Sequence, residues 1–463
     1  MSKKKSTPQT DRSPITTLAE ARAWAAARGV TEIECLVPDL AGVARGKIMP
    51  SSKFFDDTAM ALPSSIFMQT ISGEYPEESG DFRYDPSDGD LELRPDFATL
   101  CEVPWAPEPT AQVIHDAFYH DGRPVEIAPR QLLKRVIELY RKRGWEPVVA
   151  PEIEFYLVKR NIDPDYPLEP PIGRSGRAEA GRRSYSISAV NEFDAVFEDI
   201  YAFAEAQGLE VDTLIHEEGA AQMEINLRHG DPLALADQVF LLKRTIREAA
   251  LAHDIYATFM AKPIAQEPGS AMHVHQSVLS SVTGRNLFTD AEGKPTPAFF
   301  HFIGGQQRYL PPVTCMIAPY VNSYRRLVKG ASAPVNVAWG YDNRTTGLRI
   351  PPSSPTNRRV ENRVPSSDAN PYLALAASLA CGYFGLTEGL APSEPVSGSA
   401  RSDEFDLPVG LLEAVGLFEE TEELVEAFSR GFISTFAAVK RAEFATFMRV
   451  ISPWEREFLL LNV

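Results

Sequence analysis

The chain is poor in sulfur. Its four cysteines, Cys35, Cys101, Cys315 and Cys381, lie far apart with no CxxC pair among 463 residues. That spacing supports neither a disulfide framework nor a thiolate zinc site. No apolar run approaches the roughly 20 residues that a membrane-crossing helix needs. The stretch Met1–Asp11 is polar and basic and lacks the apolar core of a secretion signal. A cytoplasmic location is therefore expected. Positive charge is also scarce. Lys and Arg number 46 against 63 Asp and Glu, a formal net charge of −17, which is the wrong sign for a nucleic-acid partner. It suits a cationic substrate better. Internal repeats and low-complexity arrays are missing too.

What is present is the composition of an ordinary globular protein, 44% hydrophobic and 24% charged. The length implies two or three domains, or a large catalytic domain with an appendage. Residues 1–13 read as a disordered tail rich in Lys, Ser, Thr and Pro. Thr17-Leu18-Ala19-Glu20 then spells a capping box before an Ala-rich helix closed by Gly29. Thr31–Val37 alternates with Ile33, Cys35 and Val37 on one face, and a turn at Asp39–Gly42 leads into Val43–Met49. Pro63–Pro95 is dense in Pro, Gly, Ser and Asp and favours loops. A turn-rich boundary falls at His120-Asp121-Gly122-Arg123-Pro124, dividing the chain into 14–121 and 122–463. Beyond it a helix starts at Pro129. Strands at 148–158, 210–217, 221–228, 255–263 and 271–278 alternate with helices at 191–207, 231–253 and 370–389. Residues 160–184 read as a loop or flap. The second part is expected to be an antiparallel-rich sheet with helices outside it, an α+β protein overall.

The chemistry concentrates on strand-like segments. Residues i and i+2 of a strand share a face, so Glu152 and Glu154 point together while Ile153 and Phe155 point away. Alone, that is an amphipathic strand with a solvated Glu face. However, His216–Asn226 reads as a hairpin with Glu217 and Glu224 on its arms and Gly219 near its tip. Burying several ionised carboxylates demands cations. His273 and His275 form H-x-H on one strand face; alone, such a pair is more often satisfied within a core. Oxygen-rich sites with an imidazole suit Mg²⁺ or Mn²⁺ rather than zinc. Between Asn322 and Pro365 lie Arg325, Arg326, Arg344, Arg349, Arg358, Arg359 and Arg363. Arginines bind carboxylates and phosphates bidentately, which points to phosphoryl chemistry.

Several motifs in order resemble the glutamine synthetase superfamily over nearly the whole chain. They are Gly269-Ser270-Ala271-Met272-His273-Val274-His275, Asn322–Val328, Asn343-Arg344, Leu348-Arg349-Ile350-Pro351, Arg358–Arg363 and Asn370-Pro371-Tyr372-Leu373. The resemblance implies an N-terminal β-grasp domain and a catalytic domain whose sheet lines a two-ended funnel, with ATP entering one end and L-glutamate the other. By matching motifs, one divalent ion takes Glu154, Glu217 and Glu224, and a second takes Glu152, His273 and Glu361. His275, Ser277, Arg349 and Arg359 match nucleotide-binding positions, and Arg344 reaches the transferred phosphate. Gly269, Arg326 and Arg363 match the positions that hold glutamate. Asp90 matches the group that accepts the amine's proton in a neighbouring subunit's site. That match implies a homo-oligomer of stacked rings, a dodecamer in the family, with active sites between subunits. Gly89 stands where the family prefers Ser or Ala.

Ser332 is the departure with the largest consequence. Ammonia-using members carry a Glu in this loop, and its loss makes room for something larger than ammonia. A second departure is Glu267-Pro268, where ammonia users carry Asp-Asn. The tyrosine adenylylated in some bacterial members falls at Phe405, so that control is absent. The expected activity is that of a γ-glutamylputrescine or γ-glutamylpolyamine synthetase. A glutamine synthetase using ammonia and a catalytically silent relative are the alternatives. The adjacent Glu218 is expected to tolerate replacement by Gln.

Overall fold

A computed structural model describes residues 15–83, 85–179, 182–330, 332–400 and 407–463. The expected tail at 1–13 and Phe405 lie outside the described residues. The first helix, Leu18–Ala27, starts as its capping box dictates: the Thr17 side chain accepts from the Glu20 backbone, and the Glu20 carboxylate accepts from the Thr17 backbone. Ala21 and Ala25, four residues apart, are its buried face.

That helix accompanies a six-stranded sheet built from β1 (Glu32–Pro38), β2 (Ala44–Pro50), β3 (Met60–Pro63), β4 (Asp90–Pro95), β5 (Cys101–Glu102) and β6 (Thr110–Phe118). The order is β2-β1-β6-β4-β3, with β5 beside β6. Ile33, Cys35 and Val37 are buried as the alternation requires, but Leu36 is buried too. The far end of β1 is therefore covered on both faces.

The second sheet holds the remaining strands: β7 (Trp145–Lys159), β8 (Val211–His216), β9 (Gln222–Leu227), β10 (Ile255–Thr258), β11 (Met272–Ser280), β12 (Trp339–Tyr341), β13 (Leu348–Ile350) and β14 (Val360–Asn362). Its order is β12-β13-β14-β11-β7-β9-β8, with β10 also on β7. Every pairing is antiparallel except β12 with β13. Ile153, Phe155 and Leu157 of β7 are fully buried, which leaves the opposite face for Glu152 and Glu154. Strand β10 stops short of the expected 255–263.

The helix Pro297–Ile317 has no counterpart among the sequence expectations, because Gly304-Gly305 and Pro311-Pro312 interrupt its pattern. Packing explains it. A Cβ on Gly305 would sit 2.2 Å from the Cys381 carbonyl oxygen and 2.5 Å from Gly385 Cα, so the backbones of this helix and Pro371–Glu388 touch directly. Further helices, Leu411–Glu420 and Arg430–Phe447, complete the outer layer. Among the described residues no helix is long and apolar enough to cross a membrane.

One arginine ties the first sheet to the helix Pro232–Ala252. Arg130, at the start of the helix Pro129–Arg141, donates to Asp96 and Asp116 of the first unit at 2.7 Å each, and to both oxygens of Asp237 at 2.9 and 2.8 Å. Asn370 ties the units again: its side chain caps the helix Pro371–Glu388 and donates to the Asp39 carbonyl.

Candidate active site

The site is a row of short cross-strand neighbours. On β7, Glu152 faces His273 of β11 on one side and Asn226 of β9 on the other, while Glu154 faces Glu224. One strand further, His275 faces Glu361 of β14, and Glu361 faces Arg349 of β13. Period-two alternation therefore gathers residues from five strands onto a single polar face. Glu217 follows the end of β8, in the connection to β9 rather than on a strand arm. Gly269 precedes β11 where a Cβ would meet the Ala261 carbonyl oxygen and Arg326 Cγ at 2.6 Å each, so only glycine fits.

Two cavities open on this face. The first, about 350 Å³, is lined by Glu152, Glu154, Glu217, Glu224, His273 and Glu361, with Gly269, Arg326, Ser332, Arg344, Arg349 and Arg363 around them. The second, about 610 Å³, is lined by His275, Ser277, Asn357 and Arg359 among others. Glu152 and Asn226 belong to both, so the cavities meet over the carboxylate row.

Electrostatics divides the carboxylates into two sets. Burial, and then the neighbouring Glu217, pushes Glu154 up to about 8. Burial, then Glu152, Glu154 and Glu217, pushes Glu224 up to about 9. Burial likewise raises Glu217. Glu152 and Glu361 go the other way. Burial opposes their charge, but His273 and His275 outweigh it at Glu152, and His273 with Arg363 outweighs it at Glu361. Glu361 is 1% exposed and accepts from Arg349 at 2.8 Å and Arg363 at 2.6 Å.

A crowd of carboxyls forced toward neutrality by one another is what a divalent cation relieves. Burial and Arg363 hold His273 down to about 4, so its imidazole is neutral and able to ligate at physiological pH. Its Nδ1 is buried without a hydrogen bond, although it lies 3.4 Å from Glu152 Oε2. The donor set therefore fits hard divalent ions. Among the described residues, two groups bring ligand atoms within 4.8 Å of one another: Glu152 with Glu224 and His273, and Glu152 with His275 and Glu361. Both differ from the triads the motifs imply. Glu154 and Glu217 line the cavity outside these groups, and Glu152 is shared.

The other expected residues are distributed as follows. His275 lines the second cavity but also contacts Glu152 Oε1 through Nε2 at 2.7 Å, and Arg359 donates to its Nδ1 at 3.1 Å. Arg326 is buried, with its guanidinium donating to the backbone oxygens of Val364 and Arg363 at 2.7 and 3.0 Å. Asp90 is exposed at the start of β4 and lines neither cavity of its own chain.

Sequence reading passed over Gln222 and Asn226. Gln222 donates to Glu154 Oε2 at 3.2 Å and to the Gly269 carbonyl at 3.1 Å. Both lie two residues from Glu224 on β9, so the alternation rule could have found them. It also passed over the contact of Glu218 with Ser332 and Arg182. That contact joins distant segments and leaves no local signal.

The fold brings carboxylates, imidazoles and arginines together between two cavities, a donor set that fits hard divalent cations and anionic substrates. Residues 126–459 match the family described as "Glutamine synthetase, catalytic domain". Over 435 residues the chain is 36% identical to the gamma-glutamylputrescine synthetase of Escherichia coli, covering 93% of this chain and 92% of that protein. The glutamate–isopropylamine ligase of a Pseudomonas species is 32% identical over 430 residues, or 90% and 92% of the two chains. Glutamine synthetases stand among the relatives as well. A solved structure described as a GmaS/ADP complex superposes with a TM-score of 0.81 at 29% identity, covering 96% of this chain and 100% of that one. The chain belongs to the glutamine synthetase family.

Proposed function

We propose that the protein joins the γ-carboxylate of L-glutamate to an organic amine, a polyamine such as putrescine, with ATP converted to ADP and phosphate. The observation that carries this reading is the meeting of two cavities over Glu152 and Asn226. A nucleotide in the larger cavity and glutamate in the smaller can bring γ-phosphate and γ-carboxylate together across the carboxylate row. Similarity to a γ-glutamylputrescine synthetase and an isopropylamine ligase supports the organic amine. So does Ser332, which leaves the cavity without a carboxylate at its own position.

A carboxylate is a poor electrophile, so the γ-carboxylate of glutamate first attacks the ATP γ-phosphate to give γ-glutamyl phosphate. The amine then displaces phosphate and forms the amide. Arg344, Arg349 and Arg359 offset the charge on the transferred phosphoryl group. Gly269, Arg326 and Arg363 hold glutamate. Mg²⁺ or Mn²⁺ on Glu152, Glu154, Glu217, Glu224, His273 and Glu361 would supply charge neutralisation to the phosphate and the γ-carboxylate. The amine must lose a proton to react, and Asp90 of an adjacent copy accepts it in a ring-shaped oligomer.

The test is ADP release and product mass with ATP, glutamate, Mg²⁺ and single amines. Glutamate- and amine-dependent ADP release with a γ-glutamyl-amine product is expected. ATP turnover with ammonium alone, or none with any amine, contradicts the proposal.

A further inference from the structure

We infer that Glu218 is the subsite for the distal ammonium of a diamine substrate. This rests on the ligase reading above and names the part of the site that selects the amine. Glu217 and Glu218 are adjacent in the chain and both line the first cavity. Glu217 interacts electrostatically with Glu154 and Glu224 at the carboxylate row. Glu218 stands at the rim, with its side chain 37% exposed.

Two contacts define that rim. The Ser332 hydroxyl donates to Glu218 Oε2 at 3.1 Å, and Arg182 Nη1 donates to Glu218 Oε1 at 2.7 Å. Position 332 thus lacks its own carboxylate yet sits in hydrogen-bond contact with one from the β8–β9 connection.

A single ammonium spent at the acyl phosphate leaves no second charge for Glu218. The second ammonium of an aliphatic diamine supplies it, with its methylenes passing Ile215, Ala333 and Pro334, which line the same cavity. Arg182 shows that Glu218 accepts a cation at this place. The Arg182 side chain is itself 54% exposed, so an incoming alkylammonium can replace it, leaving Glu218 paired and returning Arg182 to water. The exchange keeps the rim neutral in both states, which lowers the cost of desolvating the carboxylate.

The test compares putrescine, n-butylamine and hydroxylamine as nucleophiles for the full-length enzyme and Glu218→Gln. Butylamine keeps the length and one amine but has no distal charge, and hydroxylamine arrives neutral and short. Contrary to the tolerance of Glu218→Gln expected from the sequence, losing a charged hydrogen-bond partner at this contact should cut kcat/KM for putrescine by about 10-fold, mainly through KM. Butylamine and hydroxylamine should change by no more than about twofold. Glu218→Asp, which retracts the carboxylate by one methylene and keeps the charge, should move the preferred diamine toward a longer chain. Parallel losses for putrescine and butylamine would place Glu218 at the attacking nitrogen and overturn the inference, as would no loss for either. A wild-type enzyme that forms the hydroxamate but prefers butylamine to putrescine also overturns it while leaving the ligase reading intact. No turnover with any nucleophile removes both.

Discussion

Each carboxylate on β7 and β9 has a distinct electrostatic task. Glu154 and Glu224, pushed up to about 8 and 9 by burial and then by neighbouring carboxylates (Glu217 at Glu154; Glu152, Glu154 and Glu217 at Glu224), hold protons at neutral pH until a cation displaces them. Metal affinity should therefore rise with pH through this range, with protons released on binding, which titration in buffers of different ionisation enthalpy would read. Stability has a definite sign as well. These groups ionise near the ordinary glutamate value of 4.5 when unfolded and much higher when folded. The unfolded chain therefore binds fewer protons between those values, and metal-free enzyme should lose stability as pH rises from about 5 to 9. Saturating Mg²⁺ should reverse that trend in thermal melts; a metal-free melting temperature that climbs across the interval would contradict the assignment. Glu154→Gln or Glu224→Gln should lower ligation at least about 100-fold in steady-state assays while the fold still assembles. Near-normal activity at high Mg²⁺ would exclude them as ligands.

Elements show how far sequence reading reaches. Glu152, Glu154, His273 and His275 could be placed on shared faces because a strand's period is two, and their strands form where expected. The cross-strand register that sets Glu152 against His273 and Glu154 against Glu224 is a long-range property that no local pattern carries. The same holds for the helix Pro297–Ile317, where close approach to Pro371–Glu388 overrides weak helix propensity. Arg130 is the clearest case. In sequence it is one charge near a helix start, yet in the fold it is 2% exposed and pairs with three aspartates from both units. Arg130→Met would strand buried carboxylates and should cost about 3–5 kcal/mol. Thermal melts of the full-length protein would show it as a marked drop, whereas an unchanged midpoint would mean the units hold together without that network.

At the scale of the molecule, Asp90 is the residue out of place. It begins β4, exposed, and borders neither cavity of its own chain. Its proposed role needs a second subunit, and complementation tests that directly. Asp90→Asn and Glu224→Gln are each expected to be inactive. Co-expressed in equal amounts, they should form hybrids in which about one quarter of the sites combine an intact Asp90 with an intact Glu224 from different chains. Activity regained in the hybrids would support shared sites, and none regained would confine each site to one chain.

The central claim is the identity of the nucleophile, and internal competition measures it most directly. Purified enzyme would receive ATP, Mg²⁺ and glutamate with equimolar putrescine and ammonium in one vessel, and the two products would be counted by mass. An aliphatic amine gains about 0.8 kcal/mol for each methylene it buries, and in the proposed reading Ser332 leaves ammonium one carboxylate short. γ-Glutamylputrescine should exceed glutamine by at least about 100-fold. Glutamine in equal or greater amount would contradict it.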